Sequence, residues 1–219
     1  MPAGERRTRN ARGHGERLRG ALMDAARELL AELGDQDKLS VRGVTARAGV
    51  SANALYLHFA DKDALLSAVM IAGYKEMREL LAEAVPDDAE PIEQLRAYGD
   101  AYIEFGAANP GLYRVLLMTK IREGVPVPER GGPEGEDEGV DTFNDFLQIV
   151  ARCLPADADA FTQAAYFWTG LHGRVALTQA IPTFPWPSAS EYVQRMIDAH
   201  VAPYTKKPRR SSPRAEATR

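Results

Sequence analysis

The sequence predicts an all-α fold of about nine helices, in which a small three-helix domain precedes a larger helical bundle. Three observations lead to this prediction. Apolar residues recur at helical spacing through most of the chain, and no segment keeps the apolar–polar alternation of a half-buried strand. Ser, Asp, Gly and Pro stand where helices would begin and end. The 219 residues, 45% of them hydrophobic, are enough to bury a substantial core.

The first helix is predicted from Leu18 to Gly34. Its apolar residues follow one another at i, i+3, i+4, i+7, i+8 and i+11, which forms a single stripe, and Gly34 can end the helix. The residues of the stripe are Leu22, Ala25, Ala26, Leu29, Leu30 and Leu33. The segments on either side of the folded region, residues 1–15 and 205–219, are rich in Arg, Pro, Gly and Ser, and we expect them to be a flexible basic arm and tail.

Two short helices and a longer one follow. Ser40 is a good N-cap for the first short helix, which Gly49 can close. Ser51 is a second N-cap, and Val50 and Leu55 around it have the spacing of a hydrophobic staple. Asp61 then begins a helix that is predicted to run to about Pro86.

Five more helices are predicted beyond Pro86. They cover roughly 91–108, 111–120, 139–153, 158–180 and 188–202. The Asn109-Pro110 step separates the first two, and Pro182, Pro185 and Pro187 separate the last two. The segment Glu123–Gly139 is rich in Pro, Gly and acidic residues and has no apolar period, so we expect a mobile loop.

Charge is unevenly distributed along the chain. The net charge is −4, but residues 1–20 carry six arginines against two glutamates, and residues 206–219 carry six basic side chains against one acidic. Residues 81–205 hold 19 acidic and 8 basic side chains. Because salt screens charges beyond about 10 Å, a basic end on an acidic body is compatible with nucleic-acid binding. The alternative is that both termini only keep the protein in solution.

Several classes of protein are disfavoured. The single cysteine, Cys153, fits a reducing compartment, and no apolar run approaches the roughly 20 residues of a membrane span, so a cytoplasmic protein without membrane contact is expected. No secretory signal is recognisable. The four histidines are scattered without metal-ligand spacing, and no phosphate loop or nucleophile elbow occurs. We therefore expect no enzyme, no metal site and no cofactor.

The segment Ser40–Phe59 has the character of a helix-turn-helix. In such a motif the first helix packs on its neighbours, and the second begins with small or polar residues so that it can approach base edges. Ser51, Ala52, Asn53 and Ala54 supply that beginning, and the free N–H groups there suit a phosphate. Any two helices joined by a glycine turn could imitate this pattern, so residue identities must add to it.

Those identities resemble the DNA-binding domain of the TetR family. The resemblance covers about residues 16–70 and is carried by Val44, Ala48-Gly49-Val50-Ser51, Leu55-Tyr56, His58-Phe59, Asp61-Lys62 and Leu65-Leu66. One departure is Leu57, where many members have another aromatic or a polar residue.

The resemblance implies that the second short helix enters the major groove of an operator. The residues expected to touch DNA are Arg42, Ser51, Ala52, Asn53, Tyr56, His58 and Lys62. Asn can pair with adenine, whereas Arg and Lys neutralise phosphate. For Tyr56 a core position is the alternative, and for His58 a packing or capping role. Arg47 is either a solvated charge or a DNA contact, and the N-terminal arginines could reach the minor groove.

The rest of the chain resembles a TetR subgroup named for a Trp-His-Gly signature, here in Trp168–Gly173, with a second likeness at Ala107–Met118. This implies a helical domain that binds a small-molecule effector and forms a homodimer. Candidate pocket residues are apolar or aromatic with a few polar groups: Tyr98, Tyr102, Phe105, Tyr113, Leu117, Phe143, Phe146, Phe167, Trp168 and His172. Many of these could be ordinary core, and His172 could be an interior histidine.

The dimer face is expected on the last two helices, as the family implies. The residues assigned to it are Leu171, Val175, Thr178, Tyr192, Val193, Met196 and Ile197. The domains are accordingly a basic arm at 1–15, a DNA-binding domain at 16–70, an effector-binding and dimerisation domain at 71–204, and a basic tail at 205–219. The function expected is ligand-released repression of transcription. An architectural DNA-binding protein without an effector stays open as the alternative.

Overall fold

The computed structural model describes residues 12–118 and 138–205, and every regular element in these two ranges is helical. The all-α fold class is therefore confirmed. Within them there are ten α-helical segments rather than nine, because a short helix follows the last predicted one. The helices are α1 Arg12–Leu33, α2 Val41–Arg47, α3 Ala52–Tyr56, α4 Lys62–Ala84, α5 Pro91–Ala108, α6 Pro110–Leu117, α7 Glu138–Arg152, α8 Ala160–Ala180, α9 Ala189–His200 and α10 Ala202–Thr205.

Most helix boundaries lie within two residues of those predicted; the larger differences are the start of α1 and the end of α6, which stops at Leu117 rather than near residue 120. Helix α1 begins at Arg12, six residues before Leu18, so residues 12–15 of the expected flexible arm are helical. Helix α7 begins at Glu138 and takes in the end of the expected acidic loop. Residues 123–137 of that loop lie outside the described residues, as do residues 1–11 of the basic arm and 206–219 of the basic tail.

The chain divides into two compact units. Unit 1 comprises residues 1–81 and 105–142, and unit 2 comprises residues 82–104 and 143–219. These units are not the same segments as the two domains expected from the sequence, which remain a prediction about function.

Unit 1 is built around the capped short helices. Gly34 ends α1 with a φ of 63°, a left-handed conformation that glycine adopts without strain, and its N–H donates to Leu30 O. A single 3₁₀ turn, Gln36–Lys38, leads into α2. Asp61 caps α4 by accepting from Ala64 N at 2.8 Å, as the sequence predicts.

The core of unit 1 joins α1 to every helix of the motif. Its members are buried aliphatic or aromatic side chains: Leu22, Ala25, Ala26, Leu30, Leu39, Val44, Leu55, Phe59, Leu65, Leu66, Val69 and Val115. Val115 comes from α6, which packs so closely on α1 that a Cβ added at Gly111 would lie 2.7 Å from Ala31 Cβ. Arg114 of α6 also donates to Ala31 O at 3.2 Å. Both contacts involve Ala31, so α6 is held against the last turns of α1.

The buried side chain of Gln94 and two close helix approaches organise part of unit 2. Gln94 is only 7% exposed; it donates to Pro86 O and Asp87 O, and its carbonyl accepts from Arg152. The packing of α5 on α9 leaves room for nothing larger than glycine at Gly99, where an added Cβ would meet Val193 Cγ1 at 2.8 Å. Gly170 of α8 lies against α9 in the same way.

Candidate nucleic-acid interface

Helix α3 is held in a defined orientation by local hydrogen bonds. The hydroxyl of Ser40 caps α2 by accepting from Gly43 N at 3.1 Å, and that of Ser51 caps α3 by accepting from Ala54 N at 3.3 Å. Between the two caps, Gly49 has a φ of 68° and Val50 N donates to Thr45 O at 2.9 Å. A residue with a Cβ would be strained at Gly49, so the tight turn between α2 and α3 depends on this glycine.

One side of α3 is buried and the other is fully presented to solvent. Leu55 is completely buried in the core of unit 1. Ala52 and Asn53 are exposed, and Tyr56 is 54% exposed. The exposure of Tyr56 means that its ring is not part of the core, which was the alternative for this residue. The exposed side carries an amide, a phenol and a small residue, which together can contact base edges and backbone.

The remaining residues expected to touch DNA have more varied surroundings. Arg42 is exposed in the first turn of α2. Lys62 is half-buried, and its Nζ donates to Gln36 O at 3.4 Å. An ammonium has three donors, so this bond leaves others for a phosphate. The exposed Ser51 accepts the capping bond with its hydroxyl oxygen, and because a hydroxyl is also a donor, its contact with DNA stays a prediction.

Two contacts connect α1 to the residues that follow α3, one made by His58 and the other by Arg19. A Cβ added at Gly15 would lie 3.7 Å from His58 Cε1, so the imidazole stands beside the start of α1, in keeping with a packing role. The guanidinium of Arg19 lies over the ring of Phe59, 5.1 Å from its centroid, in a cation–π contact. Arg6, Arg7 and Arg9, which were also considered for the minor groove, lie outside the described residues.

Arg47 has a structural partner that the sequence did not indicate. Its guanidinium binds Glu32 of α1 in a bidentate pair, with N–O distances of 2.6 and 2.8 Å, and also lies 3.4 Å from Glu28. The hydrogen bond lowers the pKa of Glu32 and raises that of Arg47. Arg47 therefore ties the end of α2 to α1 through an exposed ion pair, and its contact with DNA stays a prediction.

Two family models match the chain. The model described as "Bacterial regulatory proteins, tetR family" matches residues 22–69, and that described as "Tetracyclin repressor-like, C-terminal domain" matches residues 95–200. The chain belongs to the TetR family. This TetR-family protein is a transcription regulator with a helix-turn-helix DNA-binding domain. Its membership of the Trp-His-Gly subgroup stays a prediction.

Several solved structures have the same fold as this chain. A protein of unknown function from Rhodococcus sp. RHA1 is 22% identical with a TM-score of 0.69, covering 93% of this chain and 100% of that one. A TetR-like transcriptional regulator from the same organism is 21% identical with a TM-score of 0.64, covering 89% and 99%. SmeT, the repressor of the Stenotrophomonas maltophilia multidrug efflux pump SmeDEF, is 19% identical with a TM-score of 0.61, covering 87% and 91%. At these identities the likeness establishes the fold.

Two further findings concern the described part of the TetR-family chain. In residues 12–118 and 138–205, none of the helices is both long and apolar enough to cross a membrane. Over the same ranges, His, Cys, Asp and Glu nowhere group in threes as metal ligands would. Fold and family point to a DNA-binding regulator rather than to an enzyme.

The candidate pocket residues of this regulator divide between the two units. Phe105, Tyr113 and Leu117 belong to unit 1 and the other seven to unit 2. Six are almost completely buried, with 4% exposure or less: Tyr98, Tyr102, Phe105, Tyr113, Phe146 and Phe167. Leu117, Phe143, Trp168 and His172 are half-buried. Burial and, to a lesser extent, the negative charge of Asp145 raise the pKa of Tyr98, so its phenol stays protonated.

The aromatic rings of unit 2 form a continuous cluster. Tyr98 stacks on Phe146 with centroids 4.8 Å apart, and Phe146 meets Phe167 edge-on at 5.6 Å. Phe143 lies edge-on to Phe146 at 6.4 Å and to Trp168 at 5.9 Å. Trp168 in turn stacks on His172 with centroids 5.9 Å apart. Burial lowers the pKa of His172, which favours a neutral imidazole. The half-buried end of the cluster, Phe143, Trp168 and His172, is the part that a ligand could approach.

The residues assigned to the dimer face are largely interior to the single chain. Leu171, Val175, Val193 and Ile197 are no more than 3% exposed, so the chain itself already covers them. Tyr192 is half-buried and donates its hydroxyl to Gly170 O at 2.9 Å. Met196 packs on the same glycine, and Thr178 hydrogen-bonds with the buried Arg174. Tyr192 and Met196 thus hold α9 to α8 within one protomer, and the bond of Thr178 lies within α8.

A different face of α8 is open. Tyr166 is 59% and Leu177 is 48% exposed, and Thr169 and Ala180 are also exposed. Between them, a Cβ added at Gly173 would have no neighbour within 4 Å. Because residues three, four and seven apart share one side of a helix, these five positions form a single stripe, which we call the α8 stripe.

Proposed function

We propose that this TetR-family regulator is a repressor that binds a palindromic operator as a homodimer and leaves it when a small molecule binds the C-terminal domain. The observation that carries the DNA part is the two-sided character of α3. Leu55 anchors one side in the core, and Asn53 and Tyr56 stand exposed on the other. A helix with a rigid seat and an exposed polar face has the geometry that major-groove reading requires.

The roles proposed for individual residues follow from their surroundings. Asn53 reads a base, because an exposed amide can make a bidentate contact with adenine. Tyr56, Arg42 and Lys62 hold the backbone, since a phenol, a guanidinium and an ammonium are all donors to phosphate. Ser51 and His58 act indirectly, by capping α3 and by packing beside α1, and Ala52 lets the backbone approach the bases.

The homodimer is proposed to form through α8 and α9, with the α8 stripe as the surface that the second copy covers. Exposed Tyr166 and Leu177 would gain from burial, and the open space at Gly173 would admit a side chain of the partner. A twofold dimer presents two copies of α3 to two half-sites about 34–36 Å apart or a comparable span, which accounts for a palindromic operator.

Effector binding is proposed at the half-buried end of the aromatic cluster. Phe143 and Trp168 offer apolar walls, and His172, kept neutral by its lowered pKa, offers a polar group that does not demand a charged ligand. Release follows if the ligand-bound chain prefers a dimer in which the two copies of α3 are wrongly spaced. The coupling free energy for such a switch is typically about 1–3 kcal/mol. Repression is the mode proposed, in line with the repressor SmeT among the structural relatives.

The experiment begins with selection of duplexes from a random pool by the purified full-length chain. Anisotropy titrations at fixed salt then compare the selected duplex with a scrambled one. We expect a palindrome, two chains per duplex and at least about 10³-fold preference over the scrambled sequence. Asn53→Ala should lose discrimination at one base pair of each half-site while keeping nonspecific affinity. The matched control is Asn144→Ala, the same change in α7, which should leave discrimination unchanged.

Separate outcomes test the separate parts of this proposal. Equal loss on all sequences in Asn53→Ala would remove Asn53 from base reading. A selected site without twofold symmetry would contradict the dimer. A small molecule that binds the chain saturably yet leaves the affinity for the operator unchanged would favour the architectural alternative over a sensor. Repression would be contradicted if a promoter that overlaps the selected site gave more transcript with the protein present than without it.

A further inference from the structure

We propose that Leu57 determines part of the operator sequence by packing on the C5-methyl group of a thymine. The inference rests on the proposed function, since it concerns the same face of α3. It assigns a base-reading role to a residue that departs from the usual TetR pattern and was not among the expected contacts.

The first observation is the exposure of Leu57. Its side chain is 75% exposed, which exceeds the value for any other exposed large hydrophobic residue in the described ranges, including Tyr56 at 54% and Ile71 at 57%. Apolar surface in water is unfavourable in proportion to its area, so a leucine in this position gains from any surface that covers it. A leucine at the end of the proposed reading helix would be covered by DNA.

The second observation is that the backbone of Leu57 is rigidly placed. It is the C-cap of α3, with φ −72° and ψ −19°, and its N–H donates to Leu55 O. The residues two before and two after it, Leu55 and Phe59, are 0% and 4% exposed and belong to the core of unit 1. An exposed side chain between two buried anchors cannot turn inward without unfolding the motif.

The third observation is its place beside Asn53. Leu57 keeps right-handed helical dihedral angles, so a residue four positions after Asn53 lies on the same side, one turn further along. When the amide of Asn53 contacts a base edge, Leu57 must face the same groove close by. The two side chains would therefore contact neighbouring base pairs. An adenine contacted by Asn53 beside a thymine contacted by Leu57 would suit this arrangement.

The chemistry then selects the partner. Leucine has no hydrogen-bond donor or acceptor, so it has nothing to offer phosphate or the polar edges of guanine, cytosine and adenine. The thymine C5-methyl is the apolar group on base edges in the major groove. Leu57 thus favours thymine by contact and disfavours other bases by leaving their polar atoms without water.

The test removes that methyl and nothing else. In the operator selected by the wild-type chain, each thymine is replaced in turn by deoxyuridine, which keeps base pairing, and affinities are measured by anisotropy at fixed salt. Burial of one methyl group corresponds to about a fourfold change in affinity, and two half-sites together to about fifteenfold. We expect the wild type to lose affinity by this factor at one thymine per half-site. Leu57→Ala should bind the thymine duplex more weakly and be indifferent to deoxyuridine at that position.

The matched control is Leu80→Ala, which truncates a 43% exposed leucine of α4. It should keep the wild-type difference between thymine and deoxyuridine. Thermal melts establish that both variants are folded. The inference is overturned if the half-site contains no thymine, if no deoxyuridine weakens the wild type, or if Leu57→Ala retains the full deoxyuridine effect. Selection of no sequence at all would overturn the proposed function itself, so the two failures are distinguishable.

Discussion

Two glycines in the same turn of α8 provide a matched pair for testing the packing of unit 2. Gly170 and Gly173 both lie in the interior of a 21-residue helix, so replacing either by Ala brings the same intrinsic gain of roughly 1 kcal/mol. Their surroundings differ. A Cβ at Gly173 would have open space, whereas one at Gly170 would lie 2.9 Å from Met196 Sδ and 3.2 Å from Tyr192 Oη.

The expected magnitudes follow from these distances. Within a single protomer Gly173→Ala keeps the whole propensity gain, which corresponds to a rise in Tm of about 2–4 °C for a chain of this size. In the proposed dimer the added Cβ meets the second copy, which acts against this gain. Gly170→Ala must push Met196 aside and disturb the hydrogen bond from Tyr192 to Gly170 O. Overpacking of this kind costs about 1–3 kcal/mol, so the net change should lie between about zero and 2 kcal/mol of destabilisation.

The assay is urea unfolding of both variants and the wild type, at two protein concentrations. The second concentration is needed because Gly173 lies in the α8 stripe, and an effect on dimerisation would depend on concentration whereas helix propensity would not. A difference of about 1–3 kcal/mol between the variants is expected at the lower concentration, and it should shrink at the higher one as the proposed dimer covers Gly173. Equal shifts in the two variants would refute the close packing of α8 on α9 at Gly170.

Three further predictions address the DNA contacts, the dimer and a half-buried histidine. Lys62→Ala should reduce the slope of log affinity against log salt by about 0.9 for each phosphate that the lysine neutralises in the wild type. Weaker binding at an unchanged slope would mean that Lys62 supports DNA binding through its hydrogen bond to Gln36 O and not through a phosphate. Leu177→Arg should shift sedimentation towards the monomer, with Leu80→Arg as the control, and an unchanged dimer would exclude the α8 stripe. Because burial lowers the pKa of His172, the free energy of unfolding should fall as pH drops below about 6.5, and His172→Gln should lessen that fall; parallel pH profiles would contradict it.

Several features of the DNA-binding region were predictable because they depend on neighbours in sequence. The caps at Ser40, Ser51 and Asp61 each satisfy an amide three residues later, and Gly34 takes up a left-handed conformation that glycine alone adopts freely. Such interactions involve one helical turn or one bend and need no tertiary partner. Their residue types could therefore be read directly.

The start of α1 was missed for a related reason. The segment before Leu18 is rich in glycine and arginine and has no apolar residues at helical spacing, so the sequence predicts a flexible arm there. In the structure, the imidazole of His58 lies beside Gly15 and the ring of Phe59 beneath Arg19. These contacts come from a segment some forty residues away, and they support helical turns that lack an apolar stripe of their own.

The helical class, the order and ends of most helices, and the apolar face of each helix follow from residues close together along the chain. Which of these apolar faces the same chain covers depends instead on contacts between residues far apart in sequence. Leu171, Val175, Val193 and Ile197 have the periodicity of an interface, and they pack within one protomer, whereas the exposed apolar residues are elsewhere on α8. Arg47 finds Glu32 fifteen residues away in the same manner, and Leu57 is left exposed. Periodicity records which side chains share a side of a helix, but contact partners depend on how helices distant in sequence pack, and that is a property of the folded chain.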